Sequence, residues 1–132
     1  VLLVKPQTFM NLSGSAVANL ASEYKLSAEH VIVVHDDLDI DSGTVRCKLG
    51  GGSAGHNGLK SITEKLQTPA YMRVRMGIGR PPGRMAAADY VLAPLKKQSL
   101  EDMEHAAQIA ADAVEDIVSQ GLTHAMNCYN AK

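Results

Sequence analysis

Two stretches concentrate the residue types that could do chemistry: "HDDLD" over His35–Asp39 and "GGGSAGHNG" over Gly50–Gly58. In the first, a carboxylate such as Asp36 at the end of a strand can orient a histidine and stabilise the imidazolium that forms when it takes a proton from water. The same run offers His35, Asp36 and Asp39 as ligands for a divalent metal, because hard cations favour oxygen and imidazole suits transition metals. A good metal site usually gathers ligands from several elements, however, and these three are local. Loop solvation and capping is the plain alternative to both.

The second stretch carries five glycines in nine residues, so its backbone can take positive φ angles and approach a ligand closely. No Gly-Lys-Ser/Thr follows, and the spacing is not that of a dinucleotide fingerprint. Asn57 either caps the helix that starts there or uses its amide to donate to an oxyanion while accepting from water, which a carboxylate cannot do. Asn11, in "FMNLSG", reads by default as a turn or cap residue. His35 and His56 are the histidines near this candidate site, whereas His30, His105 and His124 read as surface or packing residues.

Positioning these groups takes strands interleaved with helices. Val1–Val4 is a short strand candidate, followed by a loop through "TFMNLSG". A helix fits Ser13–Tyr24, with Leu12, Ala16, Leu20 and Tyr24 sharing a face. Val31–His35 is a continuous β-branched run, typical of a strand covered on both sides, and its carboxyl end delivers His35, Asp36 and Asp37. Asp41-Ser42-Gly43 is a turn signal and Thr44–Lys48 a strand leading into the glycine loop. The next helix begins at Asn57 or Gly58 and stops near Pro69. Tyr71–Ile78 alternates apolar and basic residues, which places Arg73 and Arg75 on one face and Met72, Val74 and Met76 on the other, where the methionines read as core. "GRPPG" is loop and "DYVL" a short element of undetermined type. Ser99 with Asp102 resembles a cap for a long acidic helix with an apolar stripe of Leu100, Met103, Ala107, Ala110, Val114 and Ile117, ending at Gly121, and a short helix through "LTHAMNCY" follows. This pattern is that of an α/β layered domain with a mainly parallel or mixed sheet, in which ligands sit beyond the strand carboxyl ends.

The 132 residues fit one domain, residues 1–132. The net charge of −1 conceals an asymmetry: between Arg46 and Arg84 lie eight basic residues against one acid, Glu64. That division suggests one face for a polyanion and an acidic remainder that limits nonspecific adhesion. No apolar run approaches the roughly 20 residues of a membrane-spanning helix, and no leader pattern is present, so the chain reads as soluble and cytosolic. It opens on Val1 within "VLLV", as a numbering that starts partway into a longer protein would. Cys47 and Cys128 are far apart, lack metal-ligand spacing and read as reduced thiols, neither an obvious nucleophile.

Taken together, "KPQTFMNLSG", "VHDDLDIDSG", "RCKLGGGSAGHNGLKSI" and "RVRMGIGRP" closely resemble the bacterial-type peptidyl-tRNA hydrolases in both order and spacing. The resemblance implies a single α/β/α sandwich with a mixed, mainly parallel sheet, and hydrolysis of the ester joining a peptide to the terminal ribose of tRNA, in translation and ribosome rescue. It implies neither metal nor cofactor, tRNA as partner, no membrane, a cytoplasmic location and a monomer in the intact family member. Asp36 matches the aspartate that holds the general-base histidine. Asn11 and Asn57 match asparagines that bind the peptidyl backbone and position water or the oxyanion. Met10 matches a methionine lining the substrate groove, and His56 a histidine beside the site. Lys48 and Arg75 match the lysine and arginine that grip the tRNA 5′-phosphate. The family's general base lies in an amino-terminal segment without a counterpart here, and neither His35 nor His56 matches it. The implied domain therefore lacks its first strand and helix, and the chain alone is expected to be inactive. Ala54 stands where many members have glycine, and Asp41-Ser42 replaces a common proline-containing turn. The rival readings are a non-catalytic RNA-binding homologue, similar to plastid intron-splicing relatives, and a metal-dependent phosphoesterase using His35, Asp36 and Asp39.

Overall fold

The computed structural model of the chain describes residues 1–79 and 97–130. The "RPPG" and "DYVL" segments, with Arg80 and Arg84 of the basic run, lie outside the described residues, as does the Ser99 side chain. The chain forms two compact units, residues 1–32 with 49–72 and residues 33–48 with 73–132.

In the first unit a 3-10 turn at Met10–Leu12 runs directly into helix α1 (Ser13–Glu23), so part of the expected loop is helical. Val1–Val4, expected as a short buried strand, is exposed and forms none, since an apolar run becomes a strand only where a neighbour takes up its backbone groups. Helix α2 (Asn57–Leu66) packs on α1. Their crossing is set by small residues: the Gly14 N–H donates to Ser61 Oγ at 2.8 Å, and a Cβ on Gly14 would fall 2.1 Å from the Ser61 carbonyl oxygen. Of the apolar stripe that shares a face of α1, Ala16 and Leu20 are half-buried. Ser13, Gly14 and Ala21 are buried while Leu12 and Tyr24 are exposed, because close backbone approach selects the small side of the helix rather than the large apolar one. Beneath α2, the buried Tyr71 hydroxyl donates to the Leu59 carbonyl at 3.3 Å and meets Thr63 Oγ1 at 3.0 Å.

The second unit holds most of a sheet of β1 (Ile32–Asp37), β2 (Val45–Leu49) and β3 (Met72–Gly77), in the order β1-β3-β2. Met72 N–H donates to Val31 O and Ile78 N–H to Asp37 O, both at 3.0 Å, so β1 and β3 run parallel. Gly77 N–H donates to Thr44 O at 2.8 Å and Gly50 N–H to Tyr71 O at 3.0 Å, so β3 and β2 are antiparallel. The mixed sheet expected from the sequence is thus observed. The turn after β1 is closed by Thr44 N–H donating to Asp41 O at 3.1 Å, with Gly43 at φ +86°.

Helix α3 (Lys97–Gln120) begins two residues before Ser99, so that serine lies inside the helix rather than at its cap. Its buried line is Ala106, Ala110, Ala113 and Ile117, whereas Leu100 and Ala107 of the expected stripe are exposed. Helix α4 (Leu122–Tyr129) follows Gly121 at φ +92° and coincides with the expected "LTHAMNCY" segment. Asn130 then clips the chain to β2: its Oδ1 accepts from Cys47 N–H and its Nδ2 donates to Cys47 O, both at 2.7 Å. Among the described residues no helix is long and apolar enough to cross a membrane.

Candidate functional site

In the first unit the glycine loop delivers its polar end to the start of α2. His56 is the N-cap, its Nδ1 accepting from Leu59 N–H at 3.2 Å. Asn57, one of the two residues expected to begin the helix, is its first residue and is exposed, so the capping role open to it in the sequence falls to its neighbour. The 3-10 turn carrying Met10 and Asn11 packs against α2. Gly58 makes that approach feasible: a Cβ there would lie 2.7 Å from Met10 Sδ and 2.8 Å from His56 Cε1. Met10, Asn11, His56 and Asn57 therefore belong to one neighbourhood, with both asparagine amides on exposed residues. Within the loop, Ala54 adopts φ +48°, a left-handed conformation that glycine takes without the steric cost an alanine carries.

In the second unit, strand alternation and register set one face of the sheet. The antiparallel pairing places Arg75 opposite Arg46 and Arg73 opposite Lys48, and His35 and Asp37 of β1 share that face. Among the described residues, four basic side chains and the Asp37 carboxylate thus share one face of the sheet. Arg75 Nε donates to Asp37 Oδ2 at 2.9 Å, with only 22% and 11% of the two side chains exposed. Burial alone would raise the Asp37 carboxyl, but the Asp39 N–H, donating to Asp37 Oδ1 at 2.8 Å, together with Arg75 and the nearby His35, holds it below its ordinary value. The pKa of Lys48 is lowered as well, by burial first and then by the charges of Arg75 and Arg73, with Asp37 opposing, so the lysine is shifted toward its neutral form while Asp37 is shifted toward its charged one.

Arg73 and Arg75 share a face as expected, but the face is not uniformly open. β3 is the central strand, and Arg73 is fully buried while Arg75 is half-exposed. Met72 and Met76, expected in the core, are half-buried. β1 departs from its expected double cover, since Val34 is 46% exposed. Asp36 is half-buried and falls on the opposite side of the pleat from Asp37. The His35 ring turns its Nδ1 to the Asp36 carbonyl oxygen at 2.8 Å. His35, Asp36 and Asp39 do not form a converged set of metal ligands. Among the described residues that arrangement occurs at Asp116, His124 and Cys128, which the sequence reading left as surface groups and a lone thiol. Asp37, too, escaped the sequence reading as a site residue; its proximity to Arg75 follows only from the β1–β3 register.

The family model for peptidyl-tRNA hydrolase matches residues 1–132. A protein of Rhodococcus erythropolis named peptidyl-tRNA hydrolase is 54% identical over 127 residues, covering 96% of this chain and 67% of the relative. One of the same name from Streptomyces coelicolor is 50% identical over 131 residues, covering 99% and 65%. The crystal structure of peptidyl-tRNA hydrolase from Acinetobacter baumannii superposes with a TM-score of 0.84 at 34% identity, covering 92% of this chain and 62% of that one. The chain thus spans about two thirds of the length of these relatives.

Proposed function

The chain belongs to the peptidyl-tRNA hydrolase family, and from that premise we propose that it acts on peptidyl-tRNA, taking part in hydrolysis of the ester between peptide and terminal ribose. The observation that carries the reading is the sheet face shared by Arg46, Lys48, Arg73 and Arg75, on which Asp37 pairs with Arg75. A half-buried lysine beside two arginines is a favourable place for an anion, and a phosphate supplies one. Lys48 and Arg75 hold the tRNA 5′-phosphate, with Asp37 fixing the guanidinium. Asn11 and Asn57 hold the peptidyl backbone and the attacking water or oxyanion, Met10 lines the groove, His56 sits beside it, and Asp36 orients the general base. Chemistry of this kind needs directed amides, because an amide can accept from water and donate to a developing negative charge in one position. The reading includes a single domain over residues 1–132, a monomer, a cytoplasmic location, and no cofactor or metal in catalysis.

Single-turnover release of an N-acetylaminoacyl group from tRNA, by the wild type and by Asp36→Asn, tests the proposal. Cleavage that the substitution removes supports hydrolysis with Asp36 in its assigned role. Equal cleavage by both proteins takes Asp36 out of the mechanism. A tRNA complex formed by both and cleaved by neither is the result a non-catalytic RNA-binding homologue gives.

A further inference from the structure

Away from the groups assigned above, the second unit brings together three side chains with metal-binding chemistry. His124 and Cys128 lie one turn apart on α4 and so share a face, and Asp116 reaches them from the last turns of α3. Asp116 Oδ2 stands 2.8 Å from His124 Nδ1, and Cys128 Sγ stands 3.8 Å from that same nitrogen. One ligand atom from each residue falls within 4.8 Å of the others.

The shared nitrogen decides between two readings of a Cys-His-Asp trio. In a nucleophilic relay the thiol and the carboxylate engage opposite nitrogens of the ring, so that a proton moves across it. Here both address Nδ1, which leaves no route through the imidazole. Convergence of oxygen, nitrogen and sulfur on one point is instead the arrangement of a coordination site. With bonds of about 2.0–2.2 Å to oxygen and nitrogen and about 2.3 Å to sulfur, tetrahedral zinc sets its donors roughly 3.3–3.6 Å apart. The 2.8 Å pair needs to open by about half an ångström and the 3.8 Å pair to close slightly. Rotamer adjustment supplies this readily, because His124 and Cys128 are exposed.

We propose that Asp116, His124 and Cys128 form a site for a divalent transition-metal ion of the zinc class, joining α3 to α4. On binding, the Cys128 thiol gives its proton to solvent and its sulfur bonds the ion. The His124 ring takes the tautomer protonated at Nε2 and offers Nδ1, and Asp116 supplies one oxygen. The ion sheds water at these three positions and keeps it at the fourth. Cys47 is buried and is not part of this converged set. The site bears on stability, because a metal would tie α3 to α4, the helix whose end Asn130 clips to β2.

Cobalt(II) titration of the whole chain tests the proposal, with magnesium(II) as a control. The expected result is saturable one-to-one binding, with the intense visible bands of tetrahedral cobalt and a thiolate-to-cobalt charge-transfer band that Cys128→Ser abolishes and Cys47→Ala retains. Loss of a direct ligand in Cys128→Ser or His124→Ala should weaken affinity by at least the roughly 10- to 100-fold seen when outer-sphere partners are lost. Both residues are exposed, so circular dichroism of the variants should be that of the wild type. Weak octahedral absorption only, or a charge-transfer band that survives Cys128→Ser, overturns the site.

Discussion

Arg75→Ala separates charge from architecture on the basic sheet face. Arg75 makes the 2.9 Å ion pair with Asp37 between two mostly covered side chains, so its loss has two consequences. The first is structural: Asp37 keeps its Asp39 hydrogen bond but loses its cation, which costs about 1.5–3 kcal/mol, the range for a hydrogen bond to a charged group. The second is electrostatic: one phosphate contact disappears, and with it the release of about 0.7–0.9 of a counterion. The slope of log affinity against log salt should flatten by that amount, so the deficit of the variant should shrink about threefold when salt rises from about 50 to about 200 mM. Filter binding of 5′-phosphorylated tRNA across that range measures it. Asp37→Asn is the companion, because it disturbs the orientation of Arg75 and leaves its charge in place. It should weaken binding without flattening the slope. A wild-type slope in Arg75→Ala would refute the assignment of Arg75 to phosphate.

Three further outcomes follow from particular residues. Ala54→Gly relieves a left-handed alanine, worth about 1–2 kcal/mol, against about 0.5–1 kcal/mol of added chain entropy. Urea denaturation should show a net stabilisation of up to about 1.5 kcal/mol. Gly14→Ala drives a Cβ into the Ser61 carbonyl and should destabilise by about 3 kcal/mol in the same measurement. Asp37 has a folded pKa below its unfolded one, so its contribution is present above the unfolded value near 4 and is lost as pH falls through the folded one. The stability gap between wild type and Asp37→Asn should therefore narrow from neutral pH to about pH 3, and an unchanged gap would contradict the ion pair.

Much of the fold was legible because local patterns agreed with tertiary needs. The β-branched run before His35, the Asp41-Ser42-Gly43 turn and the helix from Leu122 to Tyr129 were all readable from periodicity and turn chemistry. The failures share a cause, since each depends on a neighbour distant in sequence. Arg73 looks solvent-facing until β3 is known to be the central strand. The facing of α1 follows from Gly14 meeting Ser61, a contact across 47 residues. Asp37 stands beside Arg75 only through the strand register, and Asp116 reaches His124 only because Gly121 turns the chain between their helices. At the start of α2 the ambiguity was local: His56 and Asn57 are both plausible caps, and a cap is decided by which side chain reaches the N–H two or three residues on.

The central claim is that the exposed amides at the start of α2 and in the Met10–Leu12 turn receive the acylated end of tRNA. The most direct measurement is the affinity of the chain for tRNA carrying an N-acetylaminoacyl group through a non-hydrolysable amide, compared with the same tRNA deacylated. The account predicts tighter binding of the acylated form and loss of that preference in Asn57→Ala, with affinity for deacylated tRNA unchanged. Equal affinity of the wild type for the two tRNAs would contradict it.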